Sequence, residues 1–121
     1  MSETPSGNDQ VETPPNNAKI KELNDRFRQS FLGGDVLLTT GFQALSTNTQ
    51  SNAIEAIQKF DNFTKDNDPY GEHDFGEVVV DKQKVWFKID YYGLDVQSGS
   101  PDPSDPAVTK RVLTIFLPEE Y

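Results

Sequence analysis

The chain has 121 residues, no cysteine and a single histidine, and its 20 acidic against 11 basic residues give a net charge of −9. That length fits one domain. Without cysteine there is no disulfide framework, thiol nucleophile or cysteine-ligated zinc or iron–sulfur site, and so acidic a surface argues against direct nucleic-acid binding because it repels phosphate backbones.

Residues 1–17 hold no aromatic and no aliphatic beyond Met1 and Val11, and are rich in Ser, Thr, Pro, Asn and acid. Such a stretch buries too little apolar surface to offset its ordering entropy and reads as a disordered acidic tail, leaving residues 18–121 as a single domain. The N-terminus lacks the basic and apolar regions of a secretory signal, and no run approaches the roughly 18 apolar residues of a membrane helix. A cytoplasmic protein with no membrane partner is expected.

Ile20, Leu23, Phe27 and Phe31 recur at helical spacing, with Lys19, Lys21, Glu22, Arg26 and Arg28 on the face expected to meet solvent. Asn16 or Asn17 is a candidate cap and Gly33–Gly34 a stop, which predicts a helix over residues 18–32. Residues 35–45 are β-branched and apolar and predict a strand, with Gly41 marking a bulge or a close approach. The polar run 46–51 offers caps for a second helix whose buried stripe is Ala53, Ile54, Ile57 and Phe60. From Phe75 the period changes to two. Strands are predicted over residues 75–80 and 85–92 around a short turn, and over residues 109–117 after a Gly/Ser/Pro/Asp loop, with Pro118 as terminator. On the middle strand Val85, Phe87, Ile89 and Tyr91 share one face, and Trp86, Lys88, Asp90 and Tyr92 the other. The expected fold is α+β, with two helices packed on one face of a mainly antiparallel sheet of about four strands.

The charge is localised. Residues 61–77 carry Asp61, Asp66, Asp68, Glu72, Asp74 and Glu77 against Lys65 alone, and residues 90–105 carry Asp90, Asp95, Asp102 and Asp105 with no base. The two segments together account for the whole of the net charge; if both lie at one end of the sheet, they form a single acidic rim.

The first segment contains the only histidine, His73. Read as a calcium loop, it places Asp66, Asp68, Glu72, Asp74 and Glu77 at positions 1, 3, 7, 9 and 12, with Gly71 at the sixth. Tyr70 at the fifth position and a following strand oppose that reading. Glu72-His73-Asp74 offers a base and carboxylates for hydrolysis, yet neighbours in a strand point to opposite faces, and no Gly-x-Ser-x-Gly elbow surrounds any serine. A zinc site here would be mostly carboxylate, which is unusual. Asp-Pro and Tyr-Gly steps equally build turns in which Asp and Asn side chains bond neighbouring amides. Asp90, inside an apolar strand, wants a cation, and Lys88 or Arg111 is the expected partner. The face bearing Trp86, Lys88 and Tyr92, if no helix covers it, is an amphipathic surface suited to protein binding.

Three blocks, Leu23-Asn24-Asp25-Arg26-Phe27-Arg28, then Asn67 through Gly76, then Lys88-Ile89-Asp90-Tyr91-Tyr92 with Arg111-Val112-Leu113-Thr114-Ile115 and the ending Glu119-Glu120-Tyr121, resemble a bacterial family of small proteins known only as a domain of unknown function, number 3768. The resemblance spans about residue 20 to the end. It implies an accessory of mobile elements and brings no activity, cofactor or catalytic residue. The function expected is a non-enzymatic interaction module, its rim of Asp66, Asp68, Glu72, His73, Asp74, Asp90 and Arg111 facing a basic protein or imitating nucleic-acid phosphates. The alternative is a divalent-cation-binding domain or metal-dependent hydrolase using Asp66, Asp68, Glu72, His73 and Asp74, with Asp66, Asp68, Glu72, Asp74 and Glu77 as the candidate metal ligands.

Overall fold

Pro15 opens the first helix, where its fixed φ suits the first turn and its missing N–H leaves no donor orphaned. In this computed structural model, which describes residues 15–121, α1 spans Pro15–Ser30. It begins three residues before the expected start, so Asn16 and Asn17 belong to its first turn. Most of the expected tail, residues 1–14, lies outside the described residues. The helix stops because Phe31 enters the left-handed region (φ 61) while its N–H reaches the Phe27 carbonyl at 2.7 Å. Ile20 and Phe27 are buried as the spacing requires, but so are Asn24 and Arg28. Arg28 therefore does not belong to the solvated face.

The strand expected over residues 35–45 is much shorter. β1 is Asp35–Leu38; Thr39 then turns its hydroxyl to accept the Phe42 N–H at 3.3 Å and caps a four-residue helix, α2, Thr40–Gln43. Gly41 marks a close approach: its N–H meets the Glu120 carboxylate at 2.9 Å, and a Cβ there would lie 2.5 Å from the same oxygen. α3, Thr47–Gln58, is capped by Ser46, which accepts the Thr49 N–H at 3.1 Å; Ala53 and Ile57 are its buried stripe.

β2 (Phe75–Val80) and β3 (Gln83–Tyr92) form a hairpin. Its two turn residues, Asp81 and Lys82, both have positive φ (51 and 67), the conformation that matches strand twist. The Asp81 carboxylate, accepting from the Thr49 hydroxyl at 2.9 Å, helps hold this glycine-free turn. β4 is Lys110–Phe116. The sheet order is β1-β4-β3-β2, with β1 parallel to β4 and the other pairs antiparallel. The fold is thus α+β with a mostly antiparallel sheet. Val78, Val85, Phe87, Ile89, Leu113 and Ile115 pack with Phe27, Phe42, Ala53 and Ile57 in one core between that sheet and the helices. Among the described residues no helix is long and apolar enough to cross a membrane.

The register also decides where the loops meet. Phe75, at the start of β2, pairs with Lys88 late in β3, and Tyr92, at the end of β3, pairs with Lys110 at the start of β4. The chain entering β2 and the chain linking β3 to β4 therefore leave the sheet at the same end, and α1 crosses that end.

Candidate functional site

Asn24, on the sheet-facing side of α1, ties this end together. Its amide donates to the Glu72 carbonyl (2.9 Å) and the Tyr91 hydroxyl (2.8 Å), and its carbonyl accepts from Arg111 Nε at 2.8 Å. Tyr91 in turn donates to Glu72 Oε1 at 2.8 Å. Arg111 lies over the Tyr91 ring, 5.1 Å from its centroid, and donates through Nη2 to the Pro103 carbonyl. A continuous chain of contacts thus runs from Glu72 in the first acidic segment, through β3, α1 and β4, to Pro103 in the second. The two segments form one rim with a buried polar foundation. Burial pushes the Tyr91 hydroxyl strongly up and the Arg111 guanidinium down, the latter opposed by Tyr91 and Glu72.

A second cluster adjoins it. His73 Nδ1 lies 2.8 Å from Asp25 Oδ1, which also receives Arg28 Nη1 at 2.9 Å. The His73 ring stacks on Phe63, centroids 3.8 Å apart and planes 8° from parallel, and Arg28 lies 5.2 Å from the centroid of the same phenyl ring. Arg28 Nη2 donates to the Phe60 carbonyl at 3.0 Å. His73 has φ 58, and its N–H points at the Asp68 carboxylate (3.2 and 3.3 Å), which also accepts the Glu72 N–H at 3.0 Å. Asp68 is thereby the internal tie of a turn, as its Asp-Pro step suggests.

The remaining acids separate by role. Glu77 points to the other face of the sheet and accepts the Trp86 indole N–H at 2.7 Å. Asp74 is half-buried, and its carboxyl is pushed up to about 6, first by burial and then by the charges of Glu72, Asp68 and Asp90. Asp90 pairs with Lys88 at 3.2 Å, one of the two partners expected, while Arg111 lies on the opposite face of β4 in the Asn24 network. Asp102 accepts from the Ser104 N–H and hydroxyl, and Asp105 from the Ala107 N–H. Asp61, Asp66 and Asp95 are exposed and, like Asp102 and Asp105, form no ion pair among the described residues. The five stand on the rim without an ion-pair partner among the described residues, although Asp61 lines the same hollow as Arg28 and Lys59.

For a cation the acids are poorly gathered. Among the described residues no group of three or more His, Asp or Glu side chains is placed to hold a metal ion. Asp68 is engaged with amides, Glu72 with Tyr91 and Glu77 with Trp86 across the sheet.

Asn24, Asp25, Arg28, Phe63 and Tyr91 were not among the expected site residues. One signal was present for Asn24: it stands four residues after Ile20 on the apolar stripe of α1, and a polar residue on a buried stripe requires hydrogen-bond partners. Nothing comparable marks Asp25, whose partners come from chain segments 48 residues away and within its own helix.

A family model described as a protein of unknown function (DUF3768) matches residues 38–120, about two thirds of the chain. The match leaves out α1, and with it the block Leu23–Arg28 that contributes Asn24, Asp25 and Arg28 to this end. No curated protein and no solved structure matches the chain.

Proposed function

The chain belongs to the DUF3768 family, and we propose that it is a non-enzymatic protein-interaction module whose acidic end docks on a basic protein surface. The observation that carries this reading is the set of unpaired rim acids: Asp61, Asp66, Asp95, Asp102 and Asp105 share one end of the sheet on two segments braced against each other through Asn24, Tyr91 and Arg111. A braced rim presents its charges without the entropic cost of ordering loops on binding, and uncompensated charge steers a complementary partner toward it. A DNA-binding protein, whose phosphate-binding surface the rim would engage by imitating nucleic-acid phosphates, is one partner of that class. Immobilised protein incubated with a cytoplasmic lysate at low salt is expected to retain basic proteins that elute as salt is raised. A lysate that yields no specific partner at low salt contradicts the proposal.

The divalent-cation reading is less well supported, because Asp68, Glu72 and Glu77 already have other partners. A cation bound only by the native state must raise the melting temperature. Titration with calcium, magnesium, manganese and zinc to millimolar levels is expected to leave it unchanged. A rise that the variant Asp66→Asn abolishes would restore the cation reading.

A further inference from the structure

The core lies on one face of the sheet. On the other, which bears Trp86, Lys88 and Tyr92, the turn Pro118–Glu120 brings Tyr121 onto Phe116, ring centroids 5.9 Å apart, and Phe116 is only 3% exposed. What the sheet leaves open is an edge. β1 and β2 are its outer strands, and an outer strand presents unpaired N–H and C=O groups to any chain able to add to them. The two edges differ. β1 has four residues, and its outward Leu38 carbonyl already accepts Gln43 Nε2 of α2 at 2.7 Å. β2 has six residues and spans about 20 Å.

The hairpin decides which groups of β2 point outward. Residues flanking a two-residue turn form a hydrogen-bonded pair, here Val80 and Gln83, and beyond the far end the Ile89 N–H donates to the Asp74 carbonyl at 2.9 Å. Gly76, Val78 and Val80 therefore bond β3, while Phe75, Glu77 and Val79 turn their N–H and C=O groups to the edge. None of those groups has a partner among the described residues. The three side chains share one face and read apolar, acidic, apolar. Val79 is more than half exposed. Glu77 accepts from Trp86 through Oε1 and forms no ion pair among the described residues.

We propose that this edge receives an extended basic segment of a partner protein, added antiparallel to β2 as a fifth strand, with lysine or arginine opposite Glu77 and apolar residues opposite Phe75 and Val79. Charge selects that occupant. Side chains directly opposite each other in an antiparallel pair stand about 5 Å apart, so a base there meets Glu77 and an acid is repelled. Residues 72–84 carry Glu72, Asp74, Glu77 and Asp81 against Lys82 and Lys84, so the ground along the strand is acidic as well. A second copy is disfavoured on the same count: pairing β2 in full with itself sets Glu77 against Glu77, between molecules of charge −9. Backbone bonds supply the affinity of such an added strand, and alternate side chains its selectivity. Asp61, Asp66 and Asp95 take no part, so the edge stands or falls apart from the rim.

The probe is a capped peptide of about nine residues, alternating valine and threonine with lysine at its centre, a length that covers β2; its twin has glutamate there. The lysine peptide is expected to bind the full chain with a dissociation constant on the order of 100 μM, at least tenfold more tightly than the glutamate peptide. Hydrogen exchange followed by NMR should show the Glu77 and Val79 amides exchanging fast in the free chain beside a slow Val78, and slowed at least tenfold by the lysine peptide. Val79→Pro removes an N–H that β3 does not use, a position where an edge strand tolerates proline. It is expected to abolish binding, with the fold verified by circular dichroism. Glu77→Lys is expected to reverse the preference between the two peptides. No saturable binding of the lysine peptide by about 5 mM overturns the proposal, as do equal affinities for the two peptides or binding indifferent to Val79→Pro. Slow exchange of the Glu77 and Val79 amides in the dilute free chain would assign the edge to another part of the same chain. Slow exchange that appears only as the chain is concentrated would assign it to a second copy, and either result overturns the proposal.

Discussion

Asn24 links three elements through one amide group, and its loss should be costly for a reason that no single bond conveys. Replacing it by leucine keeps the volume but leaves Arg111 Nε, buried with a residue only 3% exposed, without its acceptor. A buried donor on a charged group loses the full cost of desolvation, so Asn24→Leu is expected to destabilise by roughly 3 kcal/mol in urea unfolding. Asp74 should behave in the opposite sense. Its carboxyl is raised to about 6 from an ordinary 3.8, by burial and then by Glu72, Asp68 and Asp90. The native state therefore holds this proton more tightly than the unfolded chain, and stability falls as pH rises from about 4 to about 6, then stays at the lower level. Asp74→Asn is expected to stabilise the protein at pH 7 by about 1 kcal/mol, a figure reduced for partial exposure to solvent. At pH 3.5 the difference should vanish; thermal melts at both values measure it.

At the scale of elements, the glycines show where packing overrides local preference. Gly76 opens no turn; it lies in β2 because a Cβ there would come within 2.5 Å of the Phe87 ring and 2.9 Å of Phe60. Gly76→Ala is accordingly expected to cost about 2 kcal/mol through overpacking of the core, measured as a lower denaturation midpoint with an unchanged slope. The strands β2 and β3 were legible because alternation of apolar residues specifies a half-buried strand directly. β4 was legible because residues 112–117 are a short apolar, β-branched run bounded by turn residues, buried on both faces. Residues 35–45 were misread for an equally physical reason. Val36, Leu37 and Leu38 and the later Phe42 and Leu45 suit a strand, but Thr39 offers a helix cap, and the Glu120 carboxylate, 79 residues on, captures the Gly41 amide. A contact from the far end of the chain decides that corner, and no local pattern carries it.

For the whole molecule, the sequence located the charge but not its foundation. The concentration of acid in residues 61–77 and 90–105 is visible in the composition alone, and the strand register then brings both segments to one end. What composition could not show is which acids are spent internally: Asp68 on amides, Asp90 on Lys88, Asp25 on His73 and Arg28. Those that remain unpaired define the surface proposed to bind. Its most direct test separates position from net charge. One variant, Asp61→Asn with Asp66→Asn and Asp95→Asn, neutralises three exposed rim acids; a second, Glu55→Gln with Asp81→Asn and Glu119→Gln, removes the same charge from exposed positions elsewhere. Affinity of each for the partner captured at low salt is then measured by calorimetry. The rim variant is expected to bind at least tenfold more weakly than the unaltered protein while the second stays within about twofold, a difference of about 1.4 kcal/mol or more. Equal losses in the two would contradict the account, because binding would then follow total charge and not the acidic end.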